Sequence, residues 1–337
     1  MPSHEPIAVE LDIESRADRA EWRDLASRCP DATVFQDPDW VCAWHARLGG
    51  DTEPWLVGVR ARGELVGLAP LGIRARGERR EVVFLGGDVS DYFGLLAAPH
   101  ARAAVARVVL EHLASAADRW DQALLGRLPP SSSLFGVALP ASLSAETAEH
   151  DVCPYVPLPA EARTLAHVVP AGFAKRVAAS LRAAYRAGPY EARWIAPDGA
   201  RAFVETIFAL HAARWRAVGQ KGVLVGDALR GFWDEAVPAL AARGLARMLE
   251  VRLRGEPIAA LLAFARRGRV LHYLSGFDPR AGKLSPGRLA LAALFERAIA
   301  EHAREVDFLR GVERYKYDWG ARDRSTYALR ITHAARG

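Results

Sequence analysis

One hexapeptide occurs twice, and that repetition constrains the fold more than any other feature. Val59-Arg60-Ala61-Arg62-Gly63-Glu64 recurs as Val251-Arg252-Leu253-Arg254-Gly255-Glu256. An apolar stretch precedes each copy (55–59, 248–251) and another follows it (65–73, 258–265). Arg-Gly-Glu supplies turn chemistry between two strand-like runs, which predicts a β-hairpin in each copy. A second Arg/Gly turn follows (74–80, 266–269), then a third strand, 82–87 in one half and 270–276 in the other. Next comes a helix, with Val105, Val108, Val109 and Leu113 at helical spacing in the first copy and Leu291, Phe295 and Ile299 in the second. A last strand closes each unit, at 120–125 and 306–309. One shared turn would be weak evidence. The same order over about 75 residues in each half argues for duplication.

Helices precede each hairpin, at 17–29 and 38–48 in the first half and at 200–218 and 228–243 in the second. A further helix, 172–187, opens the second half. Phe203, Ile207, Leu210, His211 and Trp215 have helical spacing and form a core face. A stretch rich in Pro and Ser, 129–159, marks a boundary, giving domains 1–150 and 151–337. The expected class is α+β: two tandem units, each a mixed, mostly antiparallel sheet flanked by helices. In each, a crossover helix begins beside the C-terminal end of a parallel strand, where anions bind.

Composition narrows this further. Half of the 337 residues are hydrophobic and a quarter charged, which excludes disorder, collagen and coiled-coil arrays. Residues 1–160 carry 15 basic and 23 acidic groups, net −8, and residues 161–337 carry 30 and 17, net +13. A basic half beside an acidic one points to an anionic ligand in the second, with a solvated basic surface as the plain alternative. Only four basic residues are lysine, Lys175, Lys221, Lys283 and Lys316, all in the second half. The three cysteines show no C-x-x-C and the ten histidines no H-E-x-x-H, so neither a disulfide framework nor a metal site is expected. The acidic, core-less Met1 to Glu10 is not a signal peptide, and no apolar run approaches the roughly 20 residues of a membrane span. A cytoplasmic protein, monomer or homodimer, is expected.

Two segments carry candidate chemistry. The second crossover helix starts after Asp278-Pro279-Arg280-Ala281-Gly282-Lys283-Leu284-Ser285-Pro286-Gly287-Arg288. Small residues and a proline leave backbone N–H groups free for a pyrophosphate, and Arg280, Lys283 and Arg288 add charge; a capped helix start is the plain alternative. Position 277 is Phe where a P-loop needs glycine, which excludes a Walker A site. The first copy enters its helix directly through Pro99-His100-Ala101-Arg102 and has no such loop. The last strand leads into Leu309-Arg310-Gly311-Val312-Glu313-Arg314-Tyr315-Lys316-Tyr317-Asp318-Trp319-Gly320. Here Glu313 is a candidate base for an amine, Tyr315 or Tyr317 a proton donor, and Lys316 a partner for phosphate or carboxylate. An aromatic connection with surface charges is the alternative. In the first half, Asp91 within Gly87-Asp88-Val89-Ser90-Asp91-Tyr92-Phe93 is a candidate for a cationic amine, or an Asx turn. Lys175, Arg182 and Arg186 fall on one helix face, solvated or in contact with phosphate or RNA.

With these residues in hand, the chain resembles tandem GNAT-fold acyltransferases of the CelD-like branch (cellulose or polysaccharide biosynthesis), related to FemAB peptidyltransferases. The resemblance rests on Phe35-Gln36-Asp37-Pro38-Asp39-Trp40, Ser90-Asp91-Tyr92, Tyr273 to Gly276, Ser285-Pro286-Gly287, and Arg310-Gly311-Val312-Glu313-Arg314-Tyr315-Lys316. It implies acetyl-CoA or another acyl-CoA as co-substrate, with its pyrophosphate on loop 280–288 and its pantetheine arm along Tyr273, Leu274, Ser275 and Gly276. The loop departs from the usual R/Q-x-x-G-x-G/A, because Arg280 and Gly282 are spaced differently and Ser285-Pro286-Gly287 ends it. In FemAB relatives the donor is an aminoacyl-tRNA and a lysine at the place of Lys316 handles phosphate, which keeps a tRNA donor open.

The reading is N-acyl transfer to a primary amine of a small molecule, sugar or amino acid. A backbone N–H near Leu274 to Gly276 polarises the thioester carbonyl, and Glu313 accepts the amine proton. Tyr273 or Tyr315 protonates the thiolate. The acceptor passes Asp91, Tyr92, Gln36, Trp40, Arg310 and Trp319, entering between the halves, and the degenerate first half holds no donor. Alternatives are the tRNA-dependent transferase, with nucleic acid otherwise not expected, and a non-catalytic binding module of a polysaccharide pathway. The absence of G-x-S-x-G argues against a serine hydrolase.

Overall fold

The computed structural model describes residues 5–334 apart from 218, 220, 221, 223 and 225, so Lys221 lies outside the described residues. Two compact units result: residues 1–151 with 325–337, and residues 152–324.

The first unit runs β1 (Ile7–Leu11), α1 (Arg16–Arg28), α2 (Pro38–Leu48), β2 (Glu53–Ala61), β3 (Glu64–Arg76), β4 (Arg79–Phe84), β5 (Leu96–Ala97), α3 (Arg102–Ser115), β6 (Gln122–Leu128) and β7 (Leu143–Val152). The second runs β8 (Tyr155–Pro157), α4 (Ala171–Ala187), β9 (Tyr190–Ile195), α5 (Ala200–Ala217), α6 (Asp227–Ala242), β10 (Ala246–Leu253), β11 (Glu256–Arg266), β12 (Arg269–Phe277), α7 (Pro286–Ala300), β13 (Glu305–Asp307) and α8 (Arg314–Asp318). The last strand, β14 (Ser325–His333), pairs with β6 and returns to the first sheet. The sheet orders are β1-β2-β3-β4-β6-β14-β7, with β5 on β3, and β8-β13-β12-β11-β10-β9. Both sheets are mixed and flanked by helices, the α+β class expected.

The repeated hexapeptide has a structural cause. Ala61 pairs with Glu64 and Leu253 with Glu256, so each Arg-Gly is a two-residue hairpin turn. All four turn residues have positive φ: Arg62 52°, Gly63 81°, Arg254 54°, Gly255 85°. Such primed turns match strand twist and favour glycine at the second position. The leading arginine folds back over its own turn: Arg60 donates to Gly63 O and Arg252 to Gly255 O. A register shift also falls at the same place in both hairpins, between Val59 and Arg60 and between Val251 and Arg252. Turn, arginine clasp and bulge recur together.

The crossovers recur as well. β4 runs parallel to β6 across α3, and β12 parallel to β13 across α7. Two differences from the sequence expectation matter. Segment 129–159 contains β7, an element of the first sheet. The C-terminal residues 325–337, expected in the second domain, belong to the first unit; Leu329 and Ile331 of β14 are buried in its core. Burying such a side chain is worth about 1.5–3 kcal/mol.

The second core gathers Leu289, Leu294, Phe295 and Ile299 of α7 against Leu261 and Ala263 of β11 and Val306 of β13. Trp319 stacks on Phe295 at 4.7 Å and meets Phe173 edge-on at 4.9 Å, which ties the chain after α8 to α7 and α4.

Candidate active site

β12 is longer than its partner. Its parallel pairing with β13 covers only Arg269 to Leu271, whereas the strand continues to Phe277. Beyond Leu271 that edge has no strand partner among the described residues. On the other side the pairing with β11 jumps from Leu274↔Leu262 to His272↔Ala263, leaving Tyr273 as a bulge. A bulge bends its strand and ends regular pairing, so β12 and β13 diverge here.

The root of the divergence is fastened by charge. Arg269 and Arg324 both reach Glu305 (2.8 and 2.7 Å) and the fully buried Asp307 (3.3 and 3.2 Å). Burial raises the Glu305 carboxyl, but the Arg324 hydrogen bonds and the charges of Arg269 and Arg324 outweigh it and hold the group below its usual range. Asp307 also accepts from Leu309 N at 2.8 Å, where the backbone turns at φ 58°.

A cleft of about 310 Å³ opens at the divergence. Ser275 and Phe277 form one side, Gly282, Ser285, Pro286, Gly287, Arg288 and Leu291 another, and Tyr315, Asp318 and Trp319 a third; Phe173 and Arg214 complete it. Ser285 adopts the left-handed conformation (φ 56°, ψ 59°) and α7 starts directly after it on Pro286. Pro286 has no N–H to satisfy, and β-carbons at Gly282 and Gly287 would meet nothing closer than Phe277 Cδ1 at 3.8 Å. The helix start is therefore open to a close ligand. Arg288 donates to Ser180 Oγ at 3.1 Å and lies over the Phe173 ring, and no carboxylate pairs with it among the described residues.

Gly276 serves packing. A β-carbon there would lie 2.6 Å from His211 N, so glycine is what lets α5 lie directly on β12. His211 is buried, its Nε2 accepts from Trp215 Nε1 at 2.8 Å, and burial, with Arg214 nearby, pushes its pKa down to about 4. His272 is buried with no partner for either ring nitrogen, and burial, with the Lys316 charge, pushes it down to about 3.

Several residues stand elsewhere than the sequence reading had them. Lys316 is 2% exposed and donates to Leu309 O, Arg310 O and Gly311 O at 3.2, 2.8 and 2.9 Å, with Glu313 at 2.9 Å. An ammonium has three donors, so none remains for a phosphate. Lys316 ties the turn after β13. Glu313 is its counter-charge and is not on the cleft wall; Asp318 is the carboxylate that lines the cleft. Tyr273 packs on Trp233 and Phe264, leaving Tyr315 as the cleft phenol. Burial, with the Glu313 charge, pushes Tyr315 up to about 12, so it stays protonated. Arg280 pairs with Asp278 and is 90% exposed, Lys283 is exposed, and neither lines the cleft; nor does Leu274.

The proposed acceptor residues of the first half are buried, or bonded within their own unit, or both. Gln36 Nε2 donates to Tyr92 O at 2.8 Å, Trp40 Nε1 to Ser90 Oγ at 2.9 Å, and Tyr92 and Asp91 are buried. Arg310 is half-buried and lends its carbonyl to Lys316. Arg214 and Asp318 escaped the sequence reading. The first adjoins a tryptophan taken as core, and the second sits inside the terminal motif between two aromatics.

Residues 171–317, which hold most of this cleft, match the family model for the acetyltransferase (GNAT) domain. No curated protein matches the chain in sequence. Among solved structures the fold is shared with FemX (10% identity, 95% of this chain and 96% of that one, TM-score 0.67). It is also shared with L-PGS from Bacillus licheniformis (12%, 96% and 93%, 0.60). A conserved protein of unknown function from Bacteroides thetaiotaomicron has it too (13%, 96% and 99%, 0.62). At such identities the likeness is one of fold. On the family match, which is confined to residues 171–317 of the second unit, the chain is an acyltransferase.

Proposed function

We propose that the second unit transfers an acyl group from acyl-CoA to a primary amine. The observation that carries this reading is the cleft itself: the end of β12 beyond its pairing with β13 leads to a helix start with open glycines and an arginine that meets no carboxylate among the described residues. A pantetheine arm is suited to the strand edge and a pyrophosphate to the α7 start with Arg288. The first unit holds no donor in this reading. The motif order from Phe35 to Trp319 also leads us to propose the CelD-like branch as its place among such enzymes.

The chemistry follows from the cleft wall. An alkyl amine has a pKa near 10.4, as lysine does, so it arrives protonated and a base is needed. Asp318 takes that role ahead of Glu313, whose carboxylate is bound to Lys316. The pair of Asp318 with Arg176 is exposed and weak, so it leaves the carboxylate usable. The amine nitrogen attacks the thioester carbon, the C–N bond forms and the C–S bond breaks. The thiolate leaves toward Tyr315, whose phenol is protonated throughout the neutral range. A backbone N–H near Leu274 to Gly276 polarises the carbonyl.

The test is thermal shift with acetyl-, longer acyl- and free coenzyme A. A ligand at 100 times its Kd stabilises by about 2.7 kcal/mol. No shift with any of them overturns the donor assignment; a shift without turnover on any amine points to a binding module.

A second reading, an aminoacyl-tRNA donor, draws on α4. That helix sends Phe173 into the cleft and exposes Lys175, Arg182, Arg186 and Tyr185, a surface suited to a nucleic-acid backbone; the fold is also shared with FemX. It predicts tRNA affinity that falls steeply with salt.

A further inference from the structure

The cleft holds two cationic positions that come from different elements. Arg288 belongs to the α7 start. Arg214 comes from the last turn of α5, against the end of β12, with its guanidinium 4.9 Å from the Phe277 ring centroid and 5.6 Å from that of Trp215. It is half-buried and lines the cleft together with Ser275 and Tyr315. No carboxylate pairs with it among the described residues, and the undescribed positions 218, 220, 221, 223 and 225 are Val, Gln, Lys, Val and Val, none of them acidic. Asp318, the one carboxylate on the cleft wall, pairs with Arg176.

Half-burying a guanidinium without a counter-charge costs free energy unless a ligand supplies one. Stacking on Phe277 fixes the plane of the guanidinium, and a fixed plane presents parallel N–H pairs that match a carboxylate. Its neighbours are Tyr315 and the 275–277 edge, the groups assigned to the reacting thioester. An anion held here belongs to the molecule that delivers the amine.

Resting on the acyl-transfer reading above, we infer that Arg214 binds the carboxylate of the acceptor, so that the acceptor is an amino acid or another amine carrying a carboxylate within a few bonds of its nitrogen. The amine then meets the acyl carbon between Ser275 and Tyr315 while the carboxylate stays on α5. A sugar amine without an acid group lacks the anchor.

The experiment compares matched amines by titration calorimetry and, where turnover is seen, by kinetics: glycine with methylamine, L-lysine with cadaverine, L-phenylalanine with phenethylamine. Each is measured with and without acetyl-CoA. At least one carboxylated member binds tenfold or more tightly than its decarboxylated counterpart. Arg214→Gln removes that preference through KM and leaves the acyl-CoA thermal shift intact, and Arg214→Lys restores part of it. Equal binding of the two members of every pair, or no binding by any carboxylated amine, overturns the inference whatever coenzyme A does. Loss of the acyl-CoA shift in Arg214→Gln also overturns it, by moving Arg214 to the donor. If carboxylate selectivity persists while no acyl-CoA shifts the wild type, the donor assignment alone falls.

Discussion

The two crossovers share an order of elements and differ at the strand and the helix start that would meet a ligand. In the second unit, β12 carries a bulge, outruns β13 and leaves an edge unpaired. In the first, β4 pairs with β3 in unbroken register, carries no bulge and runs only two residues, to Phe84, past its pairing with β6. Beyond β4 lies Arg127 of β6, which donates to Gly87 O and Ser90 O at 3.1 and 2.8 Å and pairs with Asp88 and Asp151. Its carbonyl also accepts from Phe93 N. The start of α3 is closed too: Arg102 is held by Asp31 and by Ser131 O, and the hollow there is about 30 Å³ against 310 Å³ at α7. The first unit pairs its own arginines at both places, and the hollow left beside Arg127 is about 140 Å³, under half the volume at α7. Retaining the hairpin and crossover preserves a fold; preserving the bulge and the glycines preserves a site.

The sharpest way to break that contrast is to place a carboxylate at each helix start. Gly287→Asp adds a negative charge in the first turn of α7, where it complements the helix dipole and meets only Phe277. The protein stays folded, yet the acyl-CoA thermal shift and turnover both vanish. Ala103→Asp, exposed in the first turn of α3, leaves both unchanged. If Gly287→Asp still binds acyl-CoA, the α7 start is no phosphate site.

Next in size is the pair of carboxylates after β13. Asp318→Asn should lower kcat by about a hundredfold or more with the acyl-CoA shift kept, since it removes a base and no donor contact. Glu313→Gln should act on the turn instead, lowering the thermal midpoint while kcat falls less. The reverse ranking would return the base to Glu313. Lys316→Met goes further, because three carbonyls lose their donor at once, each buried unmet acceptor costing about 1–3 kcal/mol.

Acid separates the units on a smaller scale. His211 and His272 both lie in the second, both buried and neutral, with pKa values pushed down to about 4 and about 3. The unfolded chain takes up each proton near pH 6.5, the folded one only far below. Stability is therefore complete above about 6.5 and is lost as pH falls from there toward 4 and 3. At pH 5 each histidine costs about 2 kcal/mol. Hydrogen exchange should show β12 opening between pH 7 and 5 while β3 does not. His272→Phe should halve that sensitivity and stabilise at neutral pH by about 1 kcal/mol, because a buried imidazole without partners is replaced by an apolar ring. An unchanged pH profile in His272→Phe would show the orphan imidazole to be solvated.

How much of this was legible in the sequence depends on whether the signal is local. The hairpins were legible because an Arg-Gly turn is a two-residue event with its own φ requirement. The helix 200–218 was legible from the spacing of Phe203, Ile207, Leu210, His211 and Trp215. β14 was missed although Tyr327, Leu329 and Ile331 alternate, because a strand that returns to a sheet more than 170 residues earlier has no local mark. Ser275, Gly282, Ser285, Gly287, Arg288, Tyr315 and Trp319, named from strand 270–276, the loop and the terminal motif, line one cleft. Lys316 and Glu313 were assigned to ligand chemistry because sequence shows which groups are charged and not which are already neutralised. Leu309 and Gly311 turn three carbonyls onto one ammonium, a satisfaction only the fold displays. Arg214 is the opposite case, an arginine among 41 whose lack of an acid becomes visible only when its neighbours are known.

That distinction between occupied and unoccupied arginines gives the smallest and most discriminating prediction. Arg280 and Arg288 lie eight residues apart in one loop and both were expected to meet the donor. Arg280 is spent on Asp278, which also caps the turn through Arg280 N at 2.9 Å, and the side chain stands in solvent. Hydrogen bonding to Arg280 holds the Asp278 carboxyl below its usual range, as a satisfied pair should. Among the described residues Arg288 bonds Ser180 Oγ, lies over the Phe173 ring and meets no carboxylate, so its charge is available to the cleft. Arg288→Gln should raise the donor Kd about tenfold, the worth of one charge-assisted contact at a partly exposed site. Arg280→Gln should leave the Kd and the thermal midpoint where they were. Equal losses in both would mean that the Arg280–Asp278 pair opens to meet the donor, and that charge counted along the loop, with no regard to pairing, was the better guide.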